Sequence, residues 1–536
     1  MLRNVLADYL DSVKERAFDL PFISLLPSMG FYDIHFTHGQ VEFGKDFIAK
    51  RVDDGVEVQY SFQSKVGDIS QTNWRNDIMG QILEASISEI SHPQFDTSLP
   101  HQVVLVTTGR LKGNAALGLQ ELNTKLVNKF GKRAVVTWER ENLIEFFETY
   151  GLTGIHQATA TGFTGYAQFY LLYGRSLQAN ISDRHIEEFS RLWLDETMDW
   201  RKRILRSTIE AEVIATKCLE NGLLYEAIHT YLAAIRVILH TMYDVGNTGY
   251  LDEVYQQADY KLRALCKLFF SQFQQQWRAA SNNILQIAGA SPTMVSYLVW
   301  CARVMEIVGL LYFLDKDERD KADNISFLQE FIDKEPGCGH VPSDRYAVSL
   351  VVATLALCHS QKLTEACALL HRSVVWLCDH YEDGLGLAPL EADEYTETAT
   401  LLGSPFEFIS IHRAGNSFVA TAICDLAAFI GNKDFYGDVV NDIMACKIVP
   451  TYWQVADTKG LFQIESDDVI TYPNIRYENN LTPFEIFEFA EHISHEPSSF
   501  RIVQKEGPLS LIFLAMFLRD RYFPTIWPLL SSESAR

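Results

Sequence analysis

The sequence predicts an α/β domain, a mixed sheet flanked by helices, followed by a large mainly α-helical region. Three observations predict it. Over residues 1–150, short apolar or period-two runs alternate with runs of helical period. From 166 to 536 the apolar periodicity is mainly helical. At 536 residues the chain exceeds one ordinary hydrophobic core, so two or three domains are expected.

The elements follow in order. LADYLDSVKERAFDLPFISLL has helical spacing and stops at Pro27 and Gly30. FYDIHF is a candidate strand. VEFGKDFIAKR reads as a strand ending at the turn residues Asp53, Asp54 and Gly55. In VEVQYSFQSKV, Val56, Val58, Tyr60 and Phe62 alternate as in a strand. NWRNDIMGQILEASISEI reads as a helix, HQVVLVTTG as a strand, and NAALGLQELNTKLVNKF as a helix. KRAVVTWER is a strand and ENLIEFFETY a helix. VVLVTT and AVVTW are expected at the centre of the sheet, because short apolar runs joined by helical crossovers are covered on both faces.

Residues 151–165, GLTGIHQATATGFTG, are rich in Gly, Thr and Ala and are expected to form a linker. Residues 1–150 then form one domain and 166–536 a helical region for sensing, assembly or partner binding. The breaker-rich run FIDKEPGCGHVPSDR marks a candidate subdivision near 330–345. Helical runs include TMVSYLVWCARVMEIVGLLYFL, RYAVSLVVATLALCH, KLTEACALLHRSVVWLCDHY and NSFVATAICDLAAFI. In TPFEIFEFAEHI, Thr482, Pro483 and Glu485 match a helix start.

Composition narrows the function. The net charge of -23 repels nucleic acid at long range, so any DNA-binding face must be local, helped by metal ions or supplied by a partner. No CxxC pair occurs among nine cysteines, which fits a reducing cytoplasm. Cys338 and His340 alone fall short of the four ligands of a structural zinc site. VSYLVWCARVMEIVGLLYFL is long enough to cross a bilayer, but Arg303 and Glu306 interrupt it, so a buried helix and no membrane association are expected. Walker and dinucleotide-binding motifs are absent.

The chemistry lies in GQVEFGKDFIAKRVDDGVEVQYSFQSKVG, residues 39–67. Metal-assisted phosphodiester hydrolysis needs oxygen ligands for a hard cation and a positive group beside the phosphate. Strand alternation puts Glu42, Gly44 and Asp46 on one face of the first strand, and Gln63 and Lys65 on one face of the second. The Asp-Asp-Gly turn makes the strands neighbours. Gly44 and Gly67 are candidates for close backbone approach.

Asp46 followed by Gln63-Ser64-Lys65 resembles the signature of the PD-(D/E)XK nuclease superfamily, and within it the Mrr-like restriction-endonuclease branch, where glutamine often replaces the second acid. VVLVTTGRLKGNA and AVVTWERENLIEFF are similar to the later strands of that branch. The resemblance is limited to residues 1–150. It implies a restriction-endonuclease-like sheet and a DNA endonuclease dependent on Mg2+ or Mn2+. By the same resemblance Asp46, Gln63 and the Ser64 carbonyl are metal ligands, and Lys65 acts on water and phosphate. Glu42 or, from the first helix, Glu15 supplies the remaining acid. Gln81 is a candidate to face the site. Thr108, Arg110, Lys112 and Arg75 are candidates for DNA contact, and His35 and His38 for further ligands. The resemblance also suggests a regulated bacterial antiphage effector, with a homo-oligomer, an activating protein or a phage-derived trigger controlling it. The alternative is a non-catalytic helical scaffold with a degenerate nuclease-like domain.

Overall fold

The computed structural model describes residues 2–14, 16–37, 45–90, 92–151, 160–195, 197–246, 248–287, 293–388, 392, 394–403, 416–455, 462, 469–473 and 508–519. Glu15, His38, Glu42, Gly44 and Thr482 lie outside them, as does most of residues 151–165. The chain divides into two compact units, Met1–Leu262 and Arg263–Arg536.

The first predicted helix is two: α1 Leu2–Ser12 and α2 Asp19–Leu25. Pro21 gives the physical reason. In a continuous helix it would remove an interior hydrogen bond and clash with the preceding turn, at a cost of ~3 kcal/mol. A break with Arg16 at φ 66° puts Pro21 in the first turn of α2, where no donor is needed.

Five strands follow: β1 Tyr32–Phe36, β2 Phe47–Asp53, β3 Val56–Lys65, β4 His101–Thr107 and β5 Val136–Trp138. They lie in the order β1-β2-β3-β4-β5. The pairs β1–β2 and β2–β3 are antiparallel, whereas β3–β4 and β4–β5 are parallel. Asp54 and Gly55 turn β2 into β3 with φ of 49° and 80°, the left-handed pair that suits a two-residue hairpin. β4 is an inner strand as expected, but β5 is an edge. Its three residues leave Val136 42% exposed. An apolar run marks burial of side chains, not the position of its strand in the sheet.

Alternation divides the sheet into two packed faces. Val103, Leu105 and nearby Val135 are buried with Trp74, Ile78 and Ile82 from the helical stretch that ends in α3 Met79–Ile87. Leu119, Leu122 and Leu126 of α4 Asn114–Phe130 complete that core. On the opposite face, Phe22 of α2 meets Phe47 at 5.3 Å and Phe62 at 5.5 Å between ring centroids. Each such buried side chain contributes roughly 1.5–3 kcal/mol. α5 Arg140–Phe146 follows β5 and starts at a capping box formed by Glu139 and Asn142.

The first unit includes helices beyond residue 150. These are α6 Ala160–Leu177, α7 Asp183–Ser190, α8 Trp200–Glu220 and α9 Leu224–Val245, with the start of α10 Gly249–Ala279. α8 packs on α1 and α2. Asp8 of α1 accepts a bond from Tyr173 of α6 at 2.7 Å and lies 2.8 Å from the ammonium of Lys217 on α8.

The second unit is mainly helical. It contains α11 Met294–Leu314, α12 Glu318–Lys334, α13 Ala347–His359, α14 Leu363–Glu382, α15 Glu394–Leu401, α16 Phe418–Ile430, α17 Lys433–Ala445 and α18 Pro508–Leu518. Short strands β6 Asn416–Ser417, β7 Val449–Val455 and β8 Val469–Pro473 make a small sheet. Val295–Leu314 is long and apolar enough to cross a membrane, and 67% of its most apolar 18-residue window is buried. Its Glu306 accepts from Ser349 at 2.7 Å and Arg519 at 2.9 Å. Such a pair is costly to break, because one partner alone would be a buried unpaired charge.

Candidate functional site

The hairpin brings the predicted residues together at the end of β3. Asp46 sits one residue before β2, and its amide donates to the Phe62 carbonyl at 2.8 Å. Phe47 pairs with Phe62, so Asp46 lies opposite Gln63. Gln63 Nε2 donates to Asp46 Oδ2 at 2.8 Å, and the Ser64 amide donates to the same oxygen at 2.6 Å. Within a strand, one residue's N–H and C=O point to the same edge. The Ser64 carbonyl is therefore aimed to the side of Asp46.

Gln63 is only 4% exposed, and its Oε1 is buried without a hydrogen-bond partner. Leaving such an acceptor unsatisfied costs about 1–3 kcal/mol. The donor set fits a hard divalent cation: a carboxylate, an amide oxygen lacking a partner, and a backbone carbonyl. Among the described residues no group of three or more His, Cys, Asp or Glu side chains could hold a metal ion. Glu42 and Glu15 lie outside those residues.

Lys65 follows Gln63 on the same face of β3. It is partly buried and forms no ion pair among the described residues. Its carbonyl accepts from Thr108 N at 3.1 Å, which ties the strand end to β4. Lys45, beside Asp46, is 4% exposed. Burial pushes its ammonium down to about 8, against the opposing pull of Glu84 on α3. Gln81, one turn earlier, also has a buried Oε1 without a partner.

The loops after β3 and β4 are clamped against each other. Thr107 donates to the Gly67 carbonyl at 2.7 Å, and Gly67 N donates to Thr108 Oγ1 at 2.9 Å. The close approach predicted at Gly67 is made from the other side. A Cβ on Gly109 would lie 2.3 Å from the Gly67 carbonyl carbon.

Thr108 is fully buried and serves this clamp rather than an outward contact. Arg110 is exposed and pairs with Glu141 at 2.6 Å, while Lys112 pairs with Asp68. Arg75 is exposed, but Trp74 belongs to the core. His35 stands apart, against Gln94 at 2.6 Å and the His92 ring at 4.1 Å.

The Cys338–His340 turn is packed rather than open. Cys338 is fully buried, and Arg372 donates to its carbonyl at 3.2 Å. His340 stacks on Trp376 at 4.5 Å, and burial, assisted by Arg372, pushes it down to about 4. Sequence reasoning missed the run KLVNKFGKR, whose Lys125, Lys129, Lys132 and Arg133 are all exposed. Four cations within nine residues of so acidic a chain were the available signal. No family model, curated protein or solved structure matches this chain.

Proposed function

We propose that the chain is a divalent-metal-dependent DNA endonuclease of the PD-(D/E)XK superfamily, Mrr-like branch, with a restriction-endonuclease-like sheet. One observation carries the reading: Asp46 and Gln63 are bonded at 2.8 Å beside an unpartnered Gln63 Oε1, with Lys65 next on the same strand face. Asp46, Gln63 and the Ser64 carbonyl would hold Mg2+ or Mn2+, with Glu42 or Glu15 as the remaining acid. When bound, the cation supplies Lewis-acid polarisation of the phosphoryl group. Lys65 offsets charge on the phosphate and orients the attacking water. The clamp of Thr107 and Thr108 on Gly67 keeps the end of β3 rigid, as a positioned site requires.

The helical remainder suits control of cutting through self-assembly, an activating protein or a phage-derived trigger, in the setting of bacterial defence. The neutral amide at 63 favours a second reading, a non-catalytic scaffold, because it holds a cation less strongly than a carboxylate. Incubating the full chain with supercoiled and linear DNA in Mg2+ or Mn2+ separates the two. The endonuclease reading expects metal-dependent cleavage that Asp46→Ala abolishes. Cleavage that survives in both Asp46→Ala and Lys65→Ala rejects the site.

A further inference from the structure

Between Gly113 and Trp138 the chain has four basic residues and a single acid, Glu121. The four, Lys125, Lys129, Lys132 and Arg133, are all exposed. None forms an ion pair among the described residues. This contrasts with Arg110 and Lys112, which are both paired with acids. In a chain of net charge -23, a cluster of unpaired cations is a local reversal of the general field.

The local geometry gathers them. Lys125 and Lys129 are four residues apart on α4 and so share one side of the helix. Gly131, at φ 62°, closes the helix, and Lys132 N donates back to the Leu126 carbonyl at 3.0 Å. This reversal holds Lys132 and Arg133 beside the helix end. Gln102 Nε2, at the start of β4, donates to the Ala134 carbonyl at 2.8 Å, which places Lys132 and Arg133 near the beginning of that strand. Burial raises Asp53, but bonds from Arg51 and Tyr60 and the charges of Arg51 and Arg133 hold it below its usual value. Asp53 does not consume that cation, since Arg51 already bonds it at 2.6 Å. A favourable helix dipole explains a cation in the last turn, here Lys129. It does not explain Lys132 and Arg133, which lie beyond the helix.

We propose that this face binds the phosphate backbone of duplex DNA. The inference rests on the endonuclease reading for its choice of polyanion. His101 pairs with Gln59, four residues before Gln63, so the two levels are separated by about 13 Å along the strand. That is about four base-pair steps, within reach of one duplex. The face positions the duplex and carries no sequence code, because backbone contacts do not distinguish bases.

The test measures binding of a labelled 30-base-pair duplex to the full chain in EDTA, as a function of salt. The comparison is with a variant carrying Lys125→Gln, Lys129→Gln, Lys132→Gln and Arg133→Gln. Four lost phosphate contacts should flatten the slope of log K against log salt by about 3–4. Between 50 and 200 mM salt, wild-type affinity should fall about 100-fold more than the variant's. Lys→Arg at the three lysines should preserve the wild-type slope, which excludes a folding defect. Equal affinity and slope in wild type and the Gln variant overturn the proposal. So does a loss confined to anionic phospholipid vesicles. Patch-dependent binding with no Mn2+ bound by the wild-type chain would leave this face standing and remove the endonuclease reading. Cleavage with unchanged KM in the Gln variant would do the reverse.

Discussion

Where β3 and β4 end, Arg110 and Lys112 are neutralised by Glu141 and Asp68, and Gln63 is bonded to Asp46. Where the same strands begin, Lys125, Lys129, Lys132 and Arg133 have no ion pairs among the described residues. Paired surface charges of the first kind mainly set loop geometry and contribute about 0–1 kcal/mol. Cations of the second kind remain available to a polyanion. The net charge of a chain therefore says little about one of its faces.

The largest effect should come from Lys65. Lys65→Ala is expected to lower metal-dependent cleavage about 10²–10³-fold, the usual range for losing a charge-stabilising donor. A steady-state cleavage assay checks it. A comparable loss from Lys112→Ala would break the contrast between paired and unpaired cations.

Next is the clamp that keeps the first end rigid. Gly109→Ala sets a Cβ against the Gly67 backbone, which cannot rotate away as a side chain can. A destabilisation of ~1–3 kcal/mol is expected, seen as a lower melting temperature in calorimetry. An unchanged transition would mean that the two loops separate freely.

Lys45 sharpens the comparison through pH. Its folded value is about 8 against an ordinary 10.5. Between those values the unfolded chain binds more protons than the folded chain, so this group's contribution makes stability rise with pH. Urea denaturation of wild type and Lys45→Met across that window should give curves that converge as pH rises. The variant is expected to be the more stable at neutral pH. Parallel curves would refute a buried, easily deprotonated lysine.

The smallest effect belongs to Arg110→Ala. Its pair with Glu141 is exposed, so stability should change by less than about 1 kcal/mol. Duplex affinity should stay within a few-fold of wild type.

Much of this arrangement was legible in the residues. The Asp54-Gly55 turn sets the register of β2 and β3, and register alone brings Asp46 opposite Gln63. Gly113 and Gly131 punctuate α4, so the predicted Asn114–Phe130 helix agrees at both ends. The split of the first helix was missed because apolar spacing outweighed Pro21. The edge position of β5 was missed because apolar content reports burial, not neighbours. The clamp at Gly109 depends on two loops distant in sequence, which no local pattern reveals. The basic face was overlooked because a strongly negative total directs attention away from nine residues.

If Asp46 and Gln63 form one divalent-cation site, Mn2+ binds there. Electron paramagnetic resonance of Mn2+ titrated into the full chain tests it without needing a substrate or trigger. Mn2+ is expected to bind the wild type, to be lost in Asp46→Ala, and to be preserved or tightened in Gln63→Glu. Equal Mn2+ binding by wild type and Asp46→Ala would contradict it.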